Sequence, residues 1–195
     1  MTLETDSTLT KKGLRLAFVG KPNSGQTSCA VYLKRSHGFK RIRLMQGVAR
    51  IAKVLYFHKK YERIPWAKKR AIYDALYKVD KNIWIGYVEN RLSNTTEPIV
   101  IDDAKFLNEV MKLKELGFII IRVNTSMKNR AKAVGRFLGP DIIPGSVAMI
   151  EYFNKDPTEA LQVDYSIYHD GTLKNLYKTL DELLTKFDIR SGTPL

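Results

Sequence analysis

Residues 14–27, LRLAFV-GKPNSGQT, decide the fold. The mostly apolar run 14–19 suits a strand buried on both faces, and Gly20 ends it at a tight turn. Gly20-Lys21-Pro22-Asn23-Ser24-Gly25-Gln26-Thr27 then fits the pattern G-x-x-x-x-G-K-S/T at every defined position except one. Glycines at both ends let the backbone curl so that successive N–H groups point inward at phosphate oxygens, and a helix opening after Gly25 adds the positive end of its dipole. Thr27 stands where a hydroxyl holds Mg²⁺. The exception is Gln26, in the place of the lysine that reaches the β- and γ-phosphates. Glutamine donates a neutral hydrogen bond and brings no charge. Lys21 is the candidate to supply that charge, and Gly20, Lys21, Asn23, Ser24, Gly25, Gln26, Thr27 and Ser28 form the expected ATP-binding set.

Outward from this loop, strand-like and helix-like segments alternate. Residues 27–35 read as a helix stopping near Gly38, and 39–44, alternating apolar and basic, as an edge-like strand. Residues 48–92 are mainly helical, with Pro65 and Trp66 at a helix start. The run 98–102 is the next buried strand, 107–116 an amphipathic helix capped by Gly117, and 118–123 a third apolar strand. Residues 124–158 hold Gly135, Gly139, Pro140, Pro144, Gly145 and Pro157, so they read as a short basic helix plus irregular loops. Residues 163–167 are the last strand, Asp170 and Gly171 a turn, and 173–187 the final helix. Such alternation predicts an α/β fold of three layers, a parallel sheet with helices on both faces.

Composition narrows the class. A chain of 195 residues with 44% hydrophobic content can bury one core, which predicts a single domain over 13–195 after a flexible polar tail, 1–12. Cys29 is the single cysteine, excludes an internal disulfide and is expected as a small buried hydrophobe. No apolar run has the roughly 18 residues of a membrane span, and the start lacks a signal peptide's pattern, so a cytoplasmic protein with no membrane partner is expected. His37, His58 and His169 are scattered and suggest neither a triad nor a metal site. The net charge is +13, and residues 40–81 hold 13 basic side chains against Glu62, Asp74 and Asp80. That segment faces an anionic partner, nucleic acid included, or simply water.

Further motifs carry a resemblance. Asp102 and Asp103 end the strand 98–102, and Asp103-Ala104-Lys105-Phe106-Leu107-Asn108-Glu109 resembles the D-x-R-F-x-N-E signature of bacteriophage-type deoxynucleoside monophosphate kinases. Asp156-Pro157-Thr158-Glu159 is similar to that family's H-P-S-E segment, and residues 164–173, DYSIYHDGTL, to its D-x-x-I-x-N-D-G-T-L ending. Dephospho-coenzyme A kinases are more distant relatives, and Lys21 resembles the extra lysine of deviant Walker A ATPases. The likeness implies a P-loop NTPase-like fold with a helical acceptor-binding insertion (45–95) and a lid-like segment (124–158). It implies transfer of the ATP γ-phosphate, with Mg²⁺, to a nucleoside or deoxynucleoside monophosphate.

By the same resemblance Thr27, Asp102 and Asp103 serve the metal, Lys21, Asp103, Lys105, Arg130 and Arg136 the chemistry, and Arg43, Arg50, Arg70, Lys105 and Glu109 the acceptor. Arg122, Lys128 and Lys132 accompany Arg130 and Arg136 in the lid region, where the four residues from Lys128 to Arg136 could line one side of a short helix. Tyr73, Trp66 or Trp84 would stack on the base or pack in the core. Three positions depart from the family pattern: Gln26 for lysine, Lys105 for arginine and Asp156 for histidine. They leave open a second function, a catalytically degenerate relative that acts as a nucleotide-binding, structural or nucleic-acid-binding protein. Source is open too, the location being the host cytoplasm if a phage encodes the chain, as is oligomeric state, a homodimer being one option.

Overall fold

The computed structural model describes residues 13–57, 64–92, 95–134, 157–169 and 172–191. The expected tail, Arg136 and most of the lid-like segment lie outside them. In chain order the elements are β1 (Arg15–Val19), α1 (Gln26–Ser36), β2 (Lys40–Arg41), α2 (Met45–Leu55), α3 (Trp66–Val79), α4 (Ile83–Leu92), β3 (Ile99–Ile101), α5 (Leu107–Glu115), β4 (Ile119–Asn124), α6 (Met127–Val134), a 3₁₀ turn (Pro157–Ala160), β5 (Tyr165–Tyr168) and α7 (Leu173–Ser191).

Five strands form one sheet in the order β2-β3-β1-β4-β5, and every neighbouring pair is parallel. β1 lies at the centre, with Leu16 opposite Val100 of β3 and Ile119 of β4. Side chains alternate faces along a strand, so each apolar run feeds two cores at once. Ala17, Val19, Ile99, Ile101 and Ile120 face a cluster with Val48, Tyr73, Trp84, Val110 and Leu113 from α2 to α5. Leu16, Phe18, Val100, Ile121 and Val123 face the other, with Cys29 and Leu33 of α1 and Leu176 and Leu180 of α7. This is the expected three-layer arrangement. Cys29 is fully buried, and burial pushes its thiol well above the usual range, as suits an inert small hydrophobe.

Two local readings change. The second strand, expected over 39–44, shrinks to Lys40–Arg41 at the sheet edge. After Lys40 and Ile42 donate to the Pro98 and Val100 carbonyls, the N–H groups of Leu44 and Met45 turn to the Asp103 carboxylate and start α2. On α6, Arg130 is buried whereas Lys128 and Lys132 are exposed, so these three do not share a side. Residues two apart on a helix point to nearly opposite faces. Elsewhere the caps follow the sequence: Gly117 takes φ +78 after α5, and the Thr172 hydroxyl accepts the Asn175 N–H at the start of α7.

Candidate functional site

The loop 20–25 leaves the C-terminal end of the central strand and enters α1. Gly20 (φ +147) and Gly25 (φ +106) hold backbone that a side chain would strain, and Asn23 joins them at φ +62. At Gly20 space is also closed, because a Cβ would stand 2.5 Å from the Val123 carbonyl oxygen. No side chain caps α1 and its first turn carries no acid, which leaves the N–H groups of Gln26, Thr27 and Ser28 available to an anion. Pinning the loop from below is His169, whose Nε2 lies 2.8 Å from the Ser24 carbonyl oxygen. Since a carbonyl only accepts, that nitrogen carries the proton.

Gln26 turns inward. Its amide Nε2 donates to the Gly20 and Lys21 carbonyl oxygens at 2.5 and 3.1 Å, fastening the helix start to the beginning of its own loop. Lys21 points elsewhere: its Nζ lies 2.6 Å from Glu159 Oε1 on the 3₁₀ turn. That turn is held by Arg122 of β4, whose Nη2 donates to the Thr158, Glu159 and Leu161 carbonyls. The Lys21 ammonium, through hydrogen bond and charge, holds the Glu159 carboxyl below its usual range, and Arg122 and Arg130 add to the effect.

Thr27 donates its hydroxyl proton to Asp102 Oδ2 at 2.8 Å, across the gap between α1 and the end of β3. Asp102 is also gripped from the edge strand, with Arg41 Nε on Oδ1 at 2.9 Å and Nη2 on Oδ2 at 2.5 Å. Such a forked pair gives a buried carboxylate both charge balance and fixed orientation. Of the expected metal set, then, Thr27 and Asp102 come together, whereas Asp103 spends its two oxygens on the Leu44 and Met45 N–H groups at 3.0 Å. Burial first, and then the Asp102 charge, push the Asp103 carboxyl up to about 6. Hydroxyl, carboxylate and uncapped helix start could hold a divalent cation and a phosphate chain.

The expected acceptor residues divide. Arg43 stays close to the site, 3.8 Å from Asp103, with its Nε buried and unbonded. Arg50 lies over the Tyr87 ring at 5.3 Å, and Arg70 is bonded to Asp74 one turn along α3. Glu109 is fully buried: Oε2 accepts the Lys105 and Phe106 N–H groups, and Oε1 the Tyr73 hydroxyl. Its carboxylate therefore starts α5 from within the core, as a capping acid does. Tyr73 and Trp84 stack on each other in that core, at 5.1 Å between ring centres. Among the described residues no group of three or more His, Cys, Asp or Glu could hold a metal alone, and no helix is long and apolar enough to cross a membrane.

Sequence reasoning missed Arg41 and His169 as parts of the site. Arg41 was visible only as one of thirteen cations in a basic stretch, and nothing in that stretch marks which cation pairs with Asp102. The position of His169 did carry a signal. It directly follows the last strand, and in a parallel sheet that end lies beside the phosphate loop.

No protein-family model matches the chain, and no curated protein matches it. Solved structures do. TT1252 from Thermus thermophilus shares 17% identity at TM-score 0.56, with 90% of this chain and 98% of that one covered. A candidate kinase from Chloroflexus aurantiacus J-10-fl shares 10% at TM-score 0.54, over 90% and 98%. A gluconokinase from Sinorhizobium meliloti 1021 shares 17% at TM-score 0.48, over 89% and 97%. The chain shares the fold of the first two, an α/β arrangement with a parallel sheet. At these identities the likeness speaks for fold alone.

Proposed function

We propose that the chain is a P-loop phosphotransferase that binds ATP with Mg²⁺ on the loop 20–27 and passes the γ-phosphate to a nucleoside or deoxynucleoside monophosphate. The observation that carries this reading is the 2.8 Å contact between the Thr27 hydroxyl and Asp102, two positions 75 residues apart that meet beside an uncapped helix start. Nothing about strand packing requires a hydroxyl and a buried carboxylate there; a phosphate-bound cation does. The backbone N–H groups of the loop would hold the phosphates, and Thr27 and Asp102 the cation. Bound Mg²⁺ supplies charge neutralisation on the phosphate oxygens. Arg41 keeps Asp102 aimed, and His169 keeps Ser24 in place. The acceptor choice rests on the sequence likeness around Asp103 and Glu109, supported by Arg43 beside Asp103.

A coupled assay of the purified chain against a panel of nucleoside and deoxynucleoside monophosphates tests the proposal. Turnover with at least one, lost in Thr27→Val, is the expected result. ATP binding with no turnover for any acceptor would instead support a second reading, a nucleotide-binding relative without transfer. One observation favours that alternative: the Gln26 amide is spent on its own loop, where a kinase places a cation. Affinity for long DNA or RNA that falls steeply with salt, without nucleotide activity, would point to the basic helices. There the exposed Lys53, Lys68, Lys78 and Lys81 are the candidates.

A further inference from the structure

We infer that Glu159 is an internal stand-in for a phosphate group, its carboxylate occupying an anion position at the mouth of the phosphate loop until an incoming polyphosphate displaces it. The inference rests on the phosphate-binding reading of the loop and adds to it a competitor built into the chain.

One cation contacts this acid: Lys21 Nζ, on the second residue of the loop, lies 2.6 Å from Glu159 Oε1, and the charges of Arg122 and Arg130 act on the same carboxyl in the same direction. A cation held at the start of a phosphate loop also suits an anion of higher charge, such as the phosphates of a nucleoside triphosphate. The pocket side of this contact is fixed, because Arg122 spends its Nη2 on three carbonyls of the segment 158–161 and so locks the turn against β4. The acid itself is not. The Glu159 side chain is 73% exposed, against 34% for Lys21, so it can swing into water while Lys21 stays at the loop.

Magnitudes agree with displacement. An exposed ion pair is weak, whereas each hydrogen bond to a charged phosphate is stronger. The phosphate wins, and the carboxylate lowers its affinity by a modest factor. The resting pair also explains how a loop whose usual lysine is replaced by Gln26 keeps a cation in position without ligand: Glu159 holds Lys21 where the loop begins.

Calorimetric titration of the full chain with Mg·ATP, and separately with tripolyphosphate, tests this. Glu159→Gln should tighten both by about two- to fivefold. Lys21→Ala should weaken both, and on that background Glu159→Gln should have much less effect, since the competitor then has lost its main partner. Glu115→Gln is the charge control, removing one negative charge at the end of α5, next to the entry of β4 and so at the opposite edge of the sheet from the loop. It should leave both affinities unchanged, and thermal melts should show all variants folded. If wild type binds and Glu159→Gln binds equally or more weakly, Glu159 is no competitor and the inference fails while the phosphate-loop reading stands. If neither wild type nor any variant binds ATP or tripolyphosphate, both fail together.

Discussion

At the scale of single residues, the site is a set of charges that have found internal partners: Lys21 with Glu159, Asp102 with Arg41, Asp103 with two backbone N–H groups. Asp103 carries a measurable consequence. Burial, followed by the charge of Asp102, raises its carboxyl from 3.8 to about 6. Between about pH 4 and 6 the folded protein therefore holds a proton that the unfolded chain has released. This group's contribution to stability is fully present below about pH 4 and is lost as pH rises through about 6. In metal-free buffer, urea unfolding from about pH 4.5 to 7 should show stability falling with rising pH less steeply in Asp103→Asn than in wild type. Equal slopes would remove Asp103 as the source. The chain legibly announced Gly20, Gly25 and Thr27, because their roles are set by local backbone and spacing. It did not announce which of Asp102 and Asp103 meets Thr27, since successive residues point apart and only the packing of α1 on β3 decides.

At the scale of elements, the sequence located the described strands by apolar runs or, at 39–44, by alternation, and misjudged ends where tertiary hydrogen bonds overrode pattern. The capture of Leu44 and Met45 by Asp103, which cuts the second strand short, links residues 59 and 58 apart and leaves no local trace. Glu109 is similar, its family likeness suggesting a ligand contact while its oxygens start a helix inside the core. Helix packing between α2 and α4 yields a paired prediction. A Cβ on Gly47 of α2 would stand 2.9 and 3.1 Å from ring atoms of Trp84, which is fully buried on α4. Overpacking costs about 1–3 kcal/mol, and the helix-propensity gain of alanine offsets roughly 1 of it, so Gly47→Ala should be destabilising by about 1 kcal/mol. Gly86, also on α4, meets nothing within 4 Å, and Gly86→Ala should stabilise by about 0.5–1 kcal/mol. Denaturant midpoints of the two variants read this directly, and a stabilised Gly47→Ala would mean that Trp84 can move aside.

At the scale of the whole molecule, the order β2-β3-β1-β4-β5 explains why residues so far apart in sequence form one site. All strands being parallel, their C-terminal ends lie on one edge, which brings together the loop after β1, the carboxylates after β3 and His169 after β5, while Arg122 and Lys21 hold the 3₁₀ turn beside them. Ligands in open α/β sheets bind at that edge. The alternation of strands and helices was readable in advance and gave this edge. The pairing of charges across it was not, because each pair joins elements that only the finished sheet makes neighbours.

The central claim is that this edge still transfers phosphate although Gln26 stands where the lysine belongs. Its most direct test is the turnover number for ADP formation, with the preferred monophosphate as acceptor, in wild type and Gln26→Lys side by side. A charged donor contributes roughly 1.5–3 kcal/mol where a neutral one contributes about 1, and the difference is largest where charge develops in transfer. Turnover in Gln26→Lys should therefore rise about tenfold or more above a measurable wild-type rate, with a smaller change in ATP affinity. No turnover in either form, with ATP affinity unchanged by the substitution, would contradict the account and leave the loop as a structural remnant.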